Sequence, residues 1–402
     1  TGTYPSIHGI VGNDWYDYQT GKNVYCTEDS AVHAVGGSAS AGGMSPRKLL
    51  TTAITDELRL SSNFKSKIIG ISLKDRGAIL PAGQSANAAY WYDDSTGTMM
   101  SSDYYMKVLP DWVKQFNQQA RPDSYMKDGW RTLLPAGDEE NSTADDMPFE
   151  ASMPGAKTHT FPYTFNLDSS NKYKVFKTTP MSMAYSFDFA KKTIEAVAMG
   201  KGKGTDFLAL SISTTDYIGH TFGPNSLENE DAYLRLDQYL ADFLLYLDNE
   251  IGQGNYLLFL TADHGAAHNP EFLQQHHIQA GVIKFKELMK TLNDSIEVKF
   301  KMKNAIGAFQ NYQLYFSPEF MAQYTFSIPV VSAFITGYLE KQPGISRAFL
   351  LDKTQEAVLP DVIKTRVINS IHAKRSGHIQ IIPESGYFSG SMKGTTHGTW
   401  NP

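Results

Sequence analysis

The sequence predicts an α/β protein in which helices cover both faces of a mostly parallel β-sheet. Three near-continuous apolar runs have the length of buried strands: residues 67–73, 206–212 and 256–260. Such runs are typical of parallel strands that are buried on both faces. Between the second and third runs, residues 225–252 carry apolar side chains at helical spacing. Strand, helix and strand in this order predict a βαβ unit.

The other elements are predicted around this unit. Residues 46–60 are a helix candidate that leads into the first strand, and Gly252 and Gly254 are suited to ending the long helix. Residues 83–180 are rich in Tyr, Trp, Ser, Asp and Pro and show weak periodicity. We interpret this stretch as an inserted cap on one catalytic domain that covers residues 1–402.

Bulk properties narrow the class of protein. A chain of 402 residues with 41% apolar residues is long enough to bury about three quarters of its unfolded surface. The net charge of −6 argues against a nucleic-acid partner, because nucleic-acid binding leaves a basic footprint. No apolar run reaches the roughly 18 residues needed to span a bilayer, so no membrane partner is expected.

The two ends of the chain look incomplete. The chain starts at Thr1 instead of a Met, and no charged start followed by an apolar stretch indicates a signal peptide. We therefore expect the natural protein to extend upstream of Thr1 and beyond Pro402. Cys26 is the only cysteine, which excludes an intrachain disulfide.

Polar clusters follow two of the predicted strands, and a further His lies near the end of the chain. Asp216 and His220 follow the second apolar run, Asp263 and His264 follow the third, and His397 lies between Gly394 and Gly398. Ligands of open α/β sheets bind at the carboxyl ends of the strands. Carboxylate oxygens and imidazole nitrogens are ligands of Zn²⁺, so these five side chains are candidate metal ligands.

Each pair also has an ordinary structural interpretation. An Asp-His dipeptide is most often a helix cap or a surface pair, and Asp-x-x-x-His spacing occurs on one turn of any exposed helix. Two such pairs after consecutive predicted strands favour the metal site, as does a histidine among glycines with no apolar face around it.

Lys74 and Arg76 follow the first predicted strand. If the strand continues through them, alternation places both cations on one side, where they suit a phosphoryl dianion. A solvated strand end explains the pair equally well. Asn13, in Gly12-Asn13-Asp14, reads first as a turn residue.

At this point the motifs resemble a known family. Residues 213–224, 261–265 and 397–399 are similar to the metal-binding motifs of the alkaline phosphatase superfamily. They are most similar to its PafA-type alkaline phosphatases, in the type I phosphodiesterase and nucleotide pyrophosphatase group. The resemblance implies an alkaline-phosphatase-like three-layer αβα sandwich with a central, mostly parallel sheet.

The resemblance also implies a site with two Zn²⁺ ions. Asp216, His220 and His397 match the ligands of one ion, and Asp263 and His264 match two ligands of the other. The remaining ligands in the family are an Asp and the nucleophilic Thr, both expected upstream of Thr1. Lys74 and Arg76 match the family's phosphate-contacting pair, and Asn13 matches a donor to a substrate phosphate oxygen.

The expected function is therefore hydrolysis of small-molecule phosphate monoesters through a covalent phospho-enzyme. A periplasmic or secreted location is implied by the family, and the oligomeric state is left open, with a monomer as one option. Two alternatives remain open. One is a phosphodiesterase or nucleotide pyrophosphatase on the same scaffold, and the other is a catalytically inactive chain that binds metal.

Overall fold

A computed structural model describes residues 1–135, 141–153, 155–156 and 159–398. Thr399, which belongs to the third motif, and parts of the predicted cap at 136–140, 154 and 157–158 lie outside the described residues.

Strands and helices alternate along much of the described chain. The strands are β1 Asp14–Asp17, β2 Lys22–Tyr25, β3 Ala34–Val35, β4 Ile68–Ser72, β5 Ala88–Asp93, β6 Thr98–Ser102, β7 Phe207–Ser211, β8 Gly281–Ile283, β9 Ile306–Gln310, β10 Gln313–Phe316, β11 Ile345–Leu350, β12 Ile379–Pro383 and β13 Tyr387–Ser389. The helices are α1 Pro5–His8, α2 Ile54–Ser61, α3 Asp75–Ala82, α4 Asp111–Gln119, α5 Pro122–Met126, α6 Lys172–Phe176, α7 Met181–Val197, α8 Thr214–Phe222, α9 Leu227–Leu247, α10 Pro270–Gln275, α11 Phe285–Phe300, α12 Pro318–Gln323, α13 Ile328–Leu339 and α14 Asp361–Ser370.

The chain forms two compact units. The first unit contains Thr1–Cys26, Ala267–Met392 and the residues from Thr396 onward, and the second contains Thr27–Ala266 with Lys393–Thr395. This grouping does not test the prediction of a single catalytic domain, which stays a prediction.

The second unit is built on a five-stranded sheet with the order β3-β6-β5-β4-β7. The central strand β4 runs parallel to both β5 and β7, whereas β6 is antiparallel to β5 and β3 is antiparallel to β6. All five residues of β4 are buried. The strands predicted at 67–73 and 206–212 are confirmed as β4 and β7.

Helices cover both faces of this sheet. Tyr90 of β5 packs with Phe189 of α7 in the larger apolar core, whereas Ala89 and Trp91, which point to the other face, pack with Ile79 of α3. Helix α3 comes so close to β4 that a Cβ at Gly70 would lie 1.9 Å from the carbonyl oxygen of Ala78. The close approach explains the glycine in an otherwise bulky strand and gives the helix–sheet–helix layering.

The predicted long helix is confirmed as α9, which continues into a π-helical turn at Asp248–Gly252. Gly252 has φ of +97°, a conformation that glycine adopts without the strain of a side chain. The helix predicted at 46–60 is shorter than expected. Only α2 is helical, and its first turn is fixed where the Asp56 carboxylate accepts a hydrogen bond from the Ala53 N–H at 2.8 Å.

The strand predicted at 256–260 is wrong. These residues form no strand, and Leu257 is 88% exposed and Phe259 67% exposed. An apolar run reports composition, but a strand also needs a neighbouring strand to satisfy its backbone groups. The βαβ unit therefore lacks its second strand.

The range predicted as a cap includes part of the sheet, because β5 and β6 lie within residues 83–180. Two antiparallel strands joined by a short turn were hidden by weak periodicity. The rest of the range holds α4, α5 and α6, and its role as a cap stays a prediction.

The first unit has its own sheet and core. Strands β11, β12, β10 and β9 form an antiparallel sheet in that order, and helices α11 and α13 contribute to the apolar cluster on it. In the part of the chain that the structure describes, no helix is both long and apolar enough to cross a membrane.

Candidate metal and phosphate site

Strands β4 and β7 bring two functional segments to one edge of the sheet. The strands are parallel, with Ser72 opposite Ser211, so both chains leave the sheet at the same edge. Just beyond it, the hydroxyl oxygens of Ser72 and Ser213 lie 3.0 Å apart, and the N–H of Lys74 donates to Ser72 Oγ at 3.1 Å. This arrangement places the residues after β4 beside those after β7.

The strand alternation proposed for Lys74 and Arg76 is wrong. Strand β4 ends at Ser72, Lys74 is the residue that precedes α3, and Arg76 lies in the first turn of that helix. The chain turns because Gly77 lets α3 pack on the strand ends, where an added Cβ would lie 2.6 Å from Ser72 Oγ. The two cations are therefore neighbours at a helix N-terminus and not on one strand face.

Lys74 nevertheless lies beside a predicted metal ligand. Its ammonium forms a salt bridge with Asp216 Oδ2, and its Nζ is 4.5 Å from the centroid of the Tyr217 ring. Both side chains of the salt bridge are largely buried, at 16% and 17% exposure. Burial raises the pKa of Tyr217 to about 12, and the positive charge of Arg76 opposes that rise. Both cations thus act on Tyr217 of α8.

Helix α8 brings Asp216 and His220 together. They are one turn apart, and His220 Nε2 is 3.3 Å from Asp216 Oδ1. The hydrogen bond to Asp216 raises the pKa of His220, and partial burial opposes this effect. The side chains that the spacing predicted to be neighbours are neighbours in the structure.

The other ring nitrogen of His220 is fixed by a backbone group that the sequence did not reveal. His220 Nδ1 lies 2.9 Å from the carbonyl oxygen of Thr395, and the Thr395 N–H donates to the His220 carbonyl at 3.0 Å. A carbonyl can only accept, so Nδ1 carries a hydrogen, and Nε2, which faces Asp216, is the ring atom that could bind a metal. Metal-binding histidines are commonly oriented in this way.

The tight pairing at Thr395 depends on Gly394. This glycine has φ of +71°, and an added Cβ would lie 2.2 Å from the His220 carbonyl oxygen. A glycine in the Gly-Thr-Thr-His sequence was the available signal for such a close approach.

The Asp263–His264 pair also lies near Asp216. His264 Nε2 is 3.9 Å from Asp216 Oδ1 and 3.3 Å from Asp263 Oδ2. The Asp263 side chain is 88% exposed, whereas that of His264 is 33% exposed. Within the second unit, two predicted ligands, His220 and His264, thus lie within 4 Å of the Asp216 carboxylate, and Asp263 contacts His264.

The chemistry of these donors suits a transition metal. Asp216 and His220 belong to a group of side chains that could hold a metal ion. Carboxylate oxygen and imidazole nitrogen together are typical ligands of Zn²⁺, and a calcium site would use oxygen alone.

The two remaining predicted residues lie in the first unit. His397 comes two residues after Thr395 and is half-buried. Asn13 immediately precedes β1, is exposed, and its carbonyl accepts a hydrogen bond from the Cys26 N–H at 2.8 Å. The functional roles of both residues stay predictions.

Comparison with known proteins identifies the class of protein. A family model described as type I phosphodiesterase / nucleotide pyrophosphatase matches residues 1–401. Alkaline phosphatase PafA of Elizabethkingia meningoseptica is 45% identical over 404 residues, which cover all of this chain and 74% of that protein. A protein of Myroides odoratus named as a calcium-transporting ATPase is 47% identical over 406 residues, with the same coverage. The crystal structure of wild-type PafA matches with a TM-score of 0.95 at 45% identity, covering all of this chain and 77% of that one.

The chain belongs to the type I phosphodiesterase / nucleotide pyrophosphatase family. Within this family it groups with the PafA-type alkaline phosphatases, and its fold is the alkaline-phosphatase-like α/β fold. The resemblance drawn from the motifs and the predicted fold class are confirmed.

Proposed function

We propose that this chain is the greater part of a zinc-dependent phosphate monoester hydrolase of the alkaline phosphatase type. The proposal rests on the side chains around the Asp216 carboxylate. The imidazoles of His220 and His264 lie within 4 Å of it, and the ammonium of Lys74 forms a salt bridge with it. Candidate metal ligands and a cation suited to binding phosphate thus meet at one carboxylate. Relatives that are named alkaline phosphatases and are about 45% identical support the same conclusion.

The proposed ligand sets are those of the motifs. Asp216, His220 and His397 would hold one Zn²⁺, and Asp263 and His264 would hold the other. Two bound zinc ions would lower the pKa of the attacking hydroxyl and stabilise the oxygen of the leaving group. His220 supports this role because its Nδ1 is already occupied by the Thr395 carbonyl.

The cations after β4 would bind the non-bridging oxygens of the substrate. An ammonium has three N–H donors, and Asp216 takes one of those of Lys74, so two remain for phosphate oxygens. Arg76 lies in the first turn of α3, where the helix dipole also favours an anion. Asn13 would donate a further hydrogen bond. Fixed charges of this kind stabilise the transition state of phosphoryl transfer.

The nucleophile is proposed to be a Thr that precedes Thr1 in the full polypeptide. It would form a covalent phospho-enzyme, which water then hydrolyses. Small-molecule phosphate esters are the proposed substrates, and a periplasmic or secreted location follows from the family resemblance.

A phosphodiesterase is the second candidate, because the matching family model is described by that activity. Lys74 favours the monoester, since a monoester carries two negative charges and a diester only one. A cation held beside the metal ligands therefore stabilises the monoester more.

The test compares two substrates with a polypeptide that includes the residues upstream of Thr1. We expect a higher kcat/KM for p-nitrophenyl phosphate than for bis-p-nitrophenyl phosphate, with activity lost to a chelator and restored by Zn²⁺. Faster hydrolysis of the bis-ester would support the phosphodiesterase. A zinc-loaded protein that turns over neither substrate would support the third option, a metal-binding chain without catalysis.

A further inference from the structure

A second group of acidic side chains lies in the same unit and is not used by the proposed phosphatase site. Glu228 in the first turn of α9 is fully buried, and Glu150 is 8% exposed. Asp145 is half-buried, and its charge acts on both glutamates. These three residues are called the carboxylate triad below; Asp145 and Glu150 belong to one short segment, and Glu228 is distant from them in the sequence.

Each member of the carboxylate triad is held by one oxygen. The Tyr163 hydroxyl donates to Glu228 Oε1 at 2.5 Å. The backbone N–H of Met147 donates to Glu150 Oε2 at 3.2 Å, and that of Phe161 donates to Asp145 Oδ2 at 2.9 Å. One oxygen of every carboxylate therefore has a protein donor.

The second oxygen of each carboxylate is buried and lacks a hydrogen-bond partner among the described residues. These atoms are Glu228 Oε2, Glu150 Oε1 and Asp145 Oδ1. Leaving one buried acceptor unsatisfied is costly, and a repeated pattern in three neighbouring carboxylates needs an explanation. In each carboxylate, one oxygen is thus anchored by a protein donor and the other accepts no hydrogen bond from the described residues.

The charges around the triad are of one sign. After burial itself, the negative charge of Glu228 is the largest influence on Glu150, and Asp145 and Asp146 act in the same direction. Together these effects raise the pKa of Glu150 to about 8, while burial raises the pKa of Glu228 to about 7. Either protons or a cation must balance carboxylates so placed.

We propose that Asp145, Glu150 and Glu228 form a Ca²⁺ site distinct from the candidate zinc centre. The triad offers only hard carboxylate oxygens, the donors that Ca²⁺ prefers, and neither imidazole nor thiolate. Mg²⁺ fits less well, because it retains several waters, whereas the oxygens offered here are buried.

Binding of the ion would draw the three carboxylates closer together. The oxygens of the three carboxylates do not all lie within 4.8 Å of one another. Among the described residues, the group that contains Asp216 and His220 meets that spacing. Ca²⁺ accepts six to eight ligands in flexible geometry, so side-chain rotation and backbone carbonyls complete the coordination.

The Ca²⁺ ion stabilises the segment that supports His220. The residues on either side of Glu150 hydrogen-bond to the neighbours of His220 and Thr395. The Phe149 carbonyl accepts from the Gly394 N–H at 2.8 Å, and the Ala151 N–H donates to the Thr221 carbonyl at 2.8 Å. Holding Glu150 therefore holds Thr221, next to His220, and Gly394, next to Thr395. The site acts as a positioning element for the imidazole, whatever reaction that imidazole serves.

Terbium luminescence tests the proposal, because Tb³⁺ occupies Ca²⁺ sites and emits when a nearby aromatic ring is excited. The ring of Trp130 lies 5.5 Å from that of Tyr163, tilted by 32°, and the Tyr163 hydroxyl contacts Glu228. The full chain is first loaded with Zn²⁺ and then titrated with TbCl₃. We expect saturable emission that Ca²⁺ displaces and equimolar Mg²⁺ does not, and we expect Ca²⁺ to raise the Tm.

Two near-isosteric variants locate the site. Glu150→Gln and Glu228→Gln should each weaken Tb³⁺ binding by about tenfold or more and abolish the effect of Ca²⁺ on the Tm, since affinity follows the charge of the ligands. Asp123→Asn is the matched control, because Asp123 also lies beside an aromatic ring, that of Tyr173, but is paired with Lys172. Its Tb³⁺ binding should equal that of the wild type.

Other outcomes overturn the proposal. Absence of saturable emission, displacement by Mg²⁺ as readily as by Ca²⁺, or emission unchanged in both glutamine variants would each do so. If Ca²⁺ leaves the Tm of the wild type unchanged while Glu150→Gln raises it, the triad is balanced by protons. If the buried Glu228→Gln does not fold, Glu150→Gln and the wild-type Ca²⁺ and Mg²⁺ titrations still decide the question.

Discussion

Two groups of carboxylates in one unit have opposite surroundings. Asp216 lies 3.3 Å from an imidazole nitrogen of His220, and its other oxygen pairs with the ammonium of Lys74. Glu150 instead experiences the negative charge of Glu228, and each of these two glutamates has a buried oxygen with no partner in the described part of the chain. The same functional group therefore suits a zinc site in one place and a calcium site in the other, according to its neighbours.

The two groups are linked through the backbone. Residues on both sides of Glu150 hydrogen-bond to Thr221 and Gly394, which adjoin His220 and Thr395. We therefore expect a change beside Asp216 to alter catalysis, and a change at Gly394, which connects the two groups, to alter zinc affinity.

The largest effect is expected from Lys74→Ala, which removes the cation from Asp216 and the proposed donor to the substrate. The kcat/KM for p-nitrophenyl phosphate should fall by about 10²–10³, as when one transition-state donor is removed. The loss for bis-p-nitrophenyl phosphate should be smaller, because the diester has less charge for the ammonium to stabilise.

Lys177→Ala is the control for that variant. The Lys177 ammonium lies 5.1 Å from the same Tyr217 ring, but it forms its salt bridge with Asp94 at 2.7 Å. Its removal should change the monoester rate little. Equal losses for the two lysines, or equal losses for the two substrates with Lys74→Ala, would show that Lys74 does not act on the phosphoryl group.

A smaller effect is expected from Gly394→Ala, which breaks the link. The added Cβ would clash with the His220 carbonyl, 2.2 Å away, at a φ of +71° that disfavours a side chain. With Thr395 displaced, His220 loses the group that orients its ring. Zinc affinity, measured by competition with a chromophoric chelator, should fall by about 10–100-fold.

Gly204→Ala provides the matched glycine control, because no atom lies within 4 Å of the position its Cβ would occupy. It should bind zinc as the wild type does. Unaltered zinc affinity in Gly394→Ala would mean that the Thr395 backbone does not position His220.

Two strands of the five-stranded sheet and the long helix were predictable from sequence. Continuous apolar runs gave β4 and β7 because strands covered on both faces show that pattern, and helical spacing gave α9. Residues 256–260 show the same pattern without forming a strand, since composition does not record whether a pairing partner is available. Strands β5 and β6 were missed because their polar and aromatic residues resemble a loop.

Only the parts of the site that consist of side-chain contacts were predictable from sequence. Helical spacing correctly predicted that Asp216 lies beside His220. Lys74 also lies near Asp216, but because it precedes helix α3 and not because of strand alternation. Thr395 acts through its backbone, so its own residue type gives no signal, and only the neighbouring Gly394 indicates a close approach there. The carboxylate triad joins Glu228 of α9 to Asp145 and Glu150 in an irregular segment, so no helical or strand spacing indicates it.

Anomalous diffraction at the zinc absorption edge, from crystals of this chain grown with Zn²⁺, is the most direct test of the proposed zinc centre. The account predicts an anomalous peak within bonding distance of Asp216 Oδ1 and His220 Nε2, and its loss in Asp216→Asn. Absence of a peak at Asp216, or a peak there that survives Asp216→Asn, would contradict it.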